Sequence, residues 1–354
     1  MGPELAAVVP KARVEACLAY LEERGRRDET RHIEEYDAEH VAIPVTGPVT
    51  HRTIERLAPN AAADRRLRTL EDHLRVRGWS EGDLREAPAT YARVGDIVVL
   101  DGWPARRPGE VGAALLDLHG DAQVVLAKLG IHGPHRRPRV AHVAGEARTR
   151  TVHREHGVAY ALDLTEVMFS PGNQRERARM GEVVEPGERV VDLCAGIGYF
   201  ALPMAAAGAT VTAVERNPTA FRWLTSNASR NRLDDRLTAI NADCRGCPVR
   251  AERAVVGHLP VHDCRGDATA FGGGYLDAAV RALDGRGHLH VHGLAYADDH
   301  GSAASSLVRR LRRREVDPTM LAVRRVKGVA PRTDHLAFDV RLTPTTASRS
   351  RGAD

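Results

Sequence analysis

Apolar and polar positions follow two periods along this chain, and the dominant one changes near residue 165. Before that point helical spacing leads. Val14, Cys17, Leu18 and Leu21 recur at three- and four-residue intervals, which predicts an amphipathic helix ended by Gly25. Residues 40–45 read as a strand, and Leu67, Leu70 and Leu74 predict a second helix stopping near Gly78. Residues 97–100, entered through Gly95-Asp96, read as another strand, and the stretch after them as a helix ending near Leu129-Gly130. Residues 133–150 hold two prolines and Arg136, Arg137, Arg139, Arg148 and Arg150. That composition suits a solvated connector or a loop facing nucleic acid.

Beyond residue 165, strand-like runs at 189–194, 210–215, 237–241, 254–259 and 288–293 alternate with helical patterns at 200–207, 219–231, 275–283 and 302–314. Such alternation implies a parallel sheet covered on both faces. Two closing runs, near 321–326 and 336–342, have no helix between them and imply an antiparallel edge hairpin. The expected fold class is therefore α/β: a doubly wound sheet of the class I methyltransferase-like type with an antiparallel C-terminal edge hairpin, preceded by smaller α+β N-terminal modules. The expected boundaries are 1–60, 61–164, 165–344 and a flexible tail at 345–354. Cutting at 160 is expected to free the cofactor domain from the modules that grip its partner.

Composition narrows the function class. Of 354 residues, 43% are hydrophobic and 28% charged, which excludes wholesale disorder. Apolar stretches such as 205–207 fall far short of a membrane span. The first residues lack a charged segment followed by an apolar one, so a secretory leader is not expected. Five cysteines, thinly spread, argue against a disulfide scaffold and for a reducing cytoplasm. Aromatics reach only 4%, which argues against a sheet paved with rings for stacking on RNA bases. The net charge is +4, and only Lys11, Lys128 and Lys327 among the 51 basic residues are lysines. An arginine bias of this kind follows from codon usage or from phosphate contact, and charge by itself does not choose.

The strongest chemical signal is Asp192-Leu193-Cys194-Ala195-Gly196-Ile197-Gly198-Tyr199-Phe200. A buried strand ends in an acid, and a turn with two glycines feeds a helix, so the backbone can approach a ligand beyond the strand ends. Glu215 closes the next strand, where an acid accepts both hydroxyls of a ribose. Asp243, followed by Cys244, closes the third, where an adenine edge would lie. Three such groups at successive strand ends read as a nucleoside site rather than as helix caps.

Upstream stands Phe169-Ser170-Pro171-Gly172-Asn173-Gln174-Arg175-Glu176-Arg177. This stretch, the glycine loop and the strand after it resemble the tRNA wybutosine-synthesis 3-amino-3-carboxypropyltransferases, relatives of the tRNA guanosine-37 methyltransferases. The resemblance extends to Val9-Pro10-Lys11 and residues 40–45. It implies an S-adenosyl-L-methionine-dependent, monomeric, cytoplasmic enzyme acting on position 37 of the tRNA-Phe anticodon loop. It further implies that Ser170, Arg177, Asp192, Ala195, Gly196, Gly198, Glu215, Asp243 and Cys244 form the cofactor site. The methyltransferases place a basic residue after Phe-Ser-Pro, where this chain has Gly172-Asn173, and an Asn-Pro-Pro-type or Asn-Leu-Pro loop where it has Gly257-His258-Leu259-Pro260. Asn173 and His258 are candidates for orienting the target base.

Other constellations are weaker. Cys244 and Cys247 with His262 and Cys264 have a spacing zinc could use, but Cys244 adjoins Asp243 and no metal is expected. His288, His290 and His292 alternate along one strand and so share a face. Arg309, Arg310, Arg312, Arg313 and Arg314 on a late helix suit either solvent or RNA. The rival readings are guanosine-37 methylation and, in another class, a non-catalytic tRNA-binding protein with a vestigial cofactor loop.

Overall fold

The computed structural model describes residues 5–59, 67–133, 135–258 and 274–345. It divides into two compact units, residues 1–87 with 109–120, and residues 88–108 with 121–354. These limits differ from boundaries at 60 and 164, because the chain leaves the second unit and returns to it.

In the first unit, β1 (Leu5–Pro10), β2 (Glu34–Glu35), β3 (His40–Val45) and β4 (Arg56–Pro59) form an antiparallel sheet in the order β2-β3-β1-β4. Its core is Ala7, Val9, Ile43 and Val45 against Cys17 and Leu21 of α1 (Val14–Glu23). The spacing that predicted α1 is the spacing of its buried face. Two short helices follow, α2 (Leu70–Arg75) and α3 (Glu81–Leu84). Thr69 and Ser80 each open one through a reciprocal capping box with Asp72 and Asp83. The last helix of this unit is α4 (Pro108–Leu118).

The second unit begins with β5 (Tyr91–Val94), β6 (Ile97–Asp101), β7 (Val124–His132) and β8 (Arg137–Gly145), a sheet in that order. Two expectations are corrected here. The stretch expected to be helical up to Leu129-Gly130 ends its helix at Leu118, and residues 124–132 are strand β7, parallel to β6. Val124-Val125-Leu126-Ala127 is fully buried, and so short an apolar run carries no period to separate strand from helix. Residues 133–150 are likewise no simple connector, since β8 pairs antiparallel with β7 across this arginine-rich stretch.

A hairpin of β9 (Arg150–Glu155) and β10 (Val158–Asp163) leads to α5 (Gln174–Glu182). The largest sheet of the described residues then forms from β11 (Arg189–Asp192), β12 (Thr210–Val214), β13 (Leu237–Ile240), β14 (Arg253–Val256), β15 (Gly287–Tyr296), β16 (Val316–Ala330) and β17 (Thr333–Pro344). Its order is β13-β12-β11-β14-β15-β17-β16. The first five strands run parallel, and β17 is antiparallel to both neighbours. The doubly wound sheet with its closing edge hairpin is thus present as read from the sequence. Helices α6 (Ala201–Ala206), α7 (Pro218–Arg230), α8 (Tyr275–Ala282) and α9 (His300–Arg312) connect the strands. No helix among the described residues is long and apolar enough to cross a membrane.

Two amides fasten β10 to α7. Asn227, fully buried, accepts from the Ala161 N–H at 2.7 Å and donates to the Ala161 and Ile197 carbonyls. Asn231 accepts from the Ala159 N–H and donates to its carbonyl, both at 2.8 Å. Tyr160 and Leu162 share a core with Val190, Val211 and Leu224. A cut at 160 therefore severs a strand of this unit and does not release an intact domain. Asn227→Ala should lower stability by about 1–3 kcal/mol for each buried backbone group it orphans, read as a fall in the urea midpoint with an unchanged slope. An unchanged midpoint would show that the amide contributes nothing.

Candidate active site

A cavity of about 340 Å³, within the range of small-molecule sites, opens at the carboxyl ends of β11, β12 and β14. Parallel α/β sheets place ligands in this crevice. Its wall includes Ser170, Asn173, Arg177, Cys194, Gly196, Glu215, Asp243, Cys244 and His258. Eight of the eleven site residues singled out above from the sequence are therefore brought together; Asp192, Ala195 and Gly198 lie outside the wall, and Cys194, not among the eleven, lines it.

The turn after β11 is built by backbone necessity. Gly196 and Gly198 have φ of +59° and +102°, in the region that favours glycine. A Cβ on Gly196 would lie 2.7 Å from the Tyr199 ring, and one on Gly198 would lie 2.6 Å from Leu202. Glu215 locks the turn from the next strand: its carboxylate accepts from the Gly196 N–H at 2.8 Å and the Asn217 N–H at 2.7 Å. A carboxylate offers about four lone-pair directions, so two remain for ligand hydroxyls. Asp243 accepts three times from Arg245, from its N–H at 3.0 Å, its Nε at 2.9 Å and its Nη2 at 2.5 Å, and these bonds hold its carboxyl down at about 2.

Asp192 lies beneath the turn and does not line the cavity. One oxygen accepts from the Cys194 N–H at 3.2 Å, while the other has no protein partner. Burial pushes its pKa up to about 7.

The Phe169–Asn173 loop forms another wall. The Phe169 ring stands edge-on to His153 and beneath the Arg177 guanidinium, 4.8 Å from its centroid. Arg177 is almost wholly buried. Its Nε and Nη2 donate to Glu155 at 2.6 and 2.7 Å, and its Nη1 donates to the Ser170 carbonyl at 2.9 Å. Arg177 thus lines the cavity with its charge matched by Glu155, and it holds the loop.

The ammonium at this wall belongs to Lys327 of β16, which donates to Ser170 Oγ. Sequence reasoning passed over it, although one signal existed: it is among the three lysines of an arginine-dominated chain. Arg136, Arg216, Tyr275, His292 and His335 also line the cavity without having been singled out as ligand contacts. His292 Nδ1 and His335 Nε2 are 2.9 Å apart, and burial drives both rings down to about 3, so both are neutral. His258 stacks at a tilt on Tyr275, and burial with the nearby arginines lowers its pKa. Among the described residues no group of three or more His, Cys, Asp or Glu is arranged to hold a metal, and His262, Cys264, Leu259 and Pro260 lie outside them. On and just beyond the end of α9, Arg309, Arg312 and Arg313 are exposed, while Arg314 pairs with Asp277.

Residues 151–315 match the model of the TRM5/TYW2 methyltransferase domain, and residues 70–149 match that of the TYW2 N-terminal domain. The tRNA(Phe) (4-demethylwyosine(37)-C(7)) aminocarboxypropyltransferase of Methanocaldococcus jannaschii is 35% identical over 206 residues, covering 57% of this chain and 77% of that protein. The chain belongs to the TRM5/TYW2 family. The enzyme of the same name from Pyrococcus horikoshii is 39% identical over 180 residues, 49% of this chain and 63% of that protein, so the match spans somewhat under two thirds of this relative. Among solved TRM5/TYW2 structures, Pyrococcus abyssi Trm5b superimposes with a TM-score of 0.74 at 27% identity, covering 96% of this chain and 99% of that one. P. horikoshii TYW2 in complex with MeSAdo superimposes with a TM-score of 0.64 at 26% identity, covering 78% of this chain and all of that one.

Protonation of Asp192 makes a prediction about stability. Its folded pKa lies above the unfolded value of about 3.9, so its contribution is complete below about pH 4 and is lost as pH rises through 7. His292 and His335 act in the opposite sense over part of this range, so the readout is a difference. Asp192→Asn should gain stability relative to wild type between pH 4 and 7.5 in parallel urea titrations. A difference independent of pH would mean that Asp192 is ionised throughout.

Proposed function

We propose that this protein transfers the 3-amino-3-carboxypropyl group of S-adenosyl-L-methionine to carbon 7 of 4-demethylwyosine at position 37 of tRNA-Phe. The observation that carries this reading is the union of a TYW2-type N-terminal domain with the TRM5/TYW2 domain, in a chain similar to two enzymes named for that reaction. The cavity fits the cofactor. Glu215 offers free acceptor positions to ribose hydroxyls, Gly196 leaves room for close approach, and Asp243 and Cys244 stand where an adenine edge would lie.

The sulfonium supplies three electrophilic carbons, and the one held in line with the nucleophile is the one attacked. The chain's task is therefore positioning. Glu215 and the glycine turn fix the nucleoside, while the Phe169–Asn173 loop, braced by Arg177, borders the amino-acid arm. Orientation of this kind supplies on the order of 7–11 kcal/mol of a barrier. Asn173 and His258 line the same cavity and orient the base. The first unit grips the tRNA, and the protein acts as a cytoplasmic monomer.

A second reading, methylation of guanosine 37, is supported by the P. abyssi Trm5b match, 28% identical over 349 residues and 99% of that protein. Parallel incubations with carboxyl-labelled and methyl-labelled cofactor separate the two. With tRNA carrying 4-demethylwyosine, label should enter RNA only from the carboxyl-labelled batch, with release of 5′-methylthioadenosine. Methyl label in the RNA would establish the methyltransferase reading. Glu215→Ala should weaken cofactor binding by about 1–3 kcal/mol in titration calorimetry, and unchanged affinity would remove Glu215 from the site.

A further inference from the structure

Three lysines occur in this chain, and their surroundings differ. Lys11 pairs with Glu35, and Lys128 with Asp101 at 3.6 Å. Lys327 has no carboxylate partner among the described residues; its one hydrogen bond is to the Ser170 hydroxyl. It is half-buried in the cavity wall, and burial first, then the nearby cations Lys128, Arg177 and Arg136, lower its pKa. Arg177 is already matched by Glu155. The acids of the cavity are matched too, Glu215 by two N–H groups and Asp243 by Arg245. They also belong to the other side of the sheet: β13 is one edge strand and β16 the other. Lys327 thus enters the cavity from the hairpin edge, while Glu215 and Asp243, with Arg216 beside them, line it from the opposite edge. At the hairpin edge stands an ammonium with three donors, of which one is used, and no counter-charge among the described residues.

Gly172 makes this placement possible. A Cβ there would stand 3.0 Å from Lys327 Cδ, a contact requiring the lysine stem to move. A longer side chain at 172 would occupy the path by which Lys327 reaches Ser170. The loop thus lacks its own basic residue and receives one from the closing hairpin, 157 residues away in sequence.

We propose that Lys327 anchors the carboxylate of the cofactor's amino-acid arm, and that Gly172 is the notch through which it enters. The inference rests on the reading that S-adenosyl-L-methionine occupies the cavity. An ammonium arriving from β16 approaches the arm from the hairpin side, where a basic side chain at 172 would approach from the loop. The direction of that pull sets which carbon of the sulfonium is presented to the RNA base.

Lys327→Gln keeps most of the stem and a donor for Ser170 but removes the charge; Lys327→Met removes both. Calorimetry on the full chain would compare three probes: S-adenosyl-L-methionine, its decarboxylated form, and 5′-methylthioadenosine, which lacks the arm. Both variants should bind S-adenosyl-L-methionine about 10–100-fold more weakly, the range for a lost charged hydrogen bond. Their affinities for the other two probes should match wild type. Equal losses for all three probes would overturn the proposal, because the lysine would then be supporting the cavity as a whole. Unchanged affinity for S-adenosyl-L-methionine with weakened tRNA binding would also overturn it and assign Lys327 to an RNA phosphate. Wild-type protein binding none of the three would instead refute the cofactor reading on which the proposal stands.

Discussion

The buried pair of Arg177 and Glu155 is the contact on which the candidate site depends. Their side chains are 2% and 3% exposed, and the guanidinium meets the carboxylate through two parallel hydrogen bonds. Burial alone would raise the Glu155 pKa, but the bonds from His153 and Arg177 bring it below its usual value. Two charges removed from water must satisfy each other, and losing one partner of such a pair costs about 3–5 kcal/mol. The pair therefore fixes the distance between β9 and α5. Arg177 spends its remaining reach on the Ser170 carbonyl and the Phe169 ring, so the loop bordering the cavity inherits its position from a contact deeper in the protein.

The glycine turn works from the other side by a similar economy. Glu215 is a structural acceptor for Gly196 and Asn217 as well as a candidate ligand contact. The groups that hold the cavity's shape are in large part the groups that line it. Asp192, fully buried below, supports the turn without reaching the cavity, which explains why an acid at the end of the first strand and an acid at the end of the second have different environments although both end parallel strands.

The sheet was legible because parallel strands are continuous apolar runs and the helices between them keep a 3.6-residue stripe. Gly196 and Glu215 were legible because turn chemistry is local. What escaped was of two kinds. The strand over 124–132 is hidden because its buried start, 124–127, is an apolar run with no period, and β8 because its arginines hide a strand whose pairing is decided by β7. Lys327 escaped because its meaning lies in a contact with Ser170 that no local pattern encodes. Arg177 is legible as a residue of the site and lines the cavity, but nothing near it in sequence reveals Glu155 as its partner.

The amides of Asn227 and Asn231 also bear on how the hairpin behaves among other molecules. A two-stranded sheet has two open edges, and an open edge is a template for a strand from another chain. On β10 the edge away from β9 presents the N–H and C=O groups of Ala159 and Ala161, and Asn227 of α7 with Asn231 at its C-terminal cap engage all four. Side chains here do what a further strand would do, so an incoming chain finds these groups already taken. The hairpin keeps its two-stranded form, packed on the rest of the unit, without offering that edge for self-association.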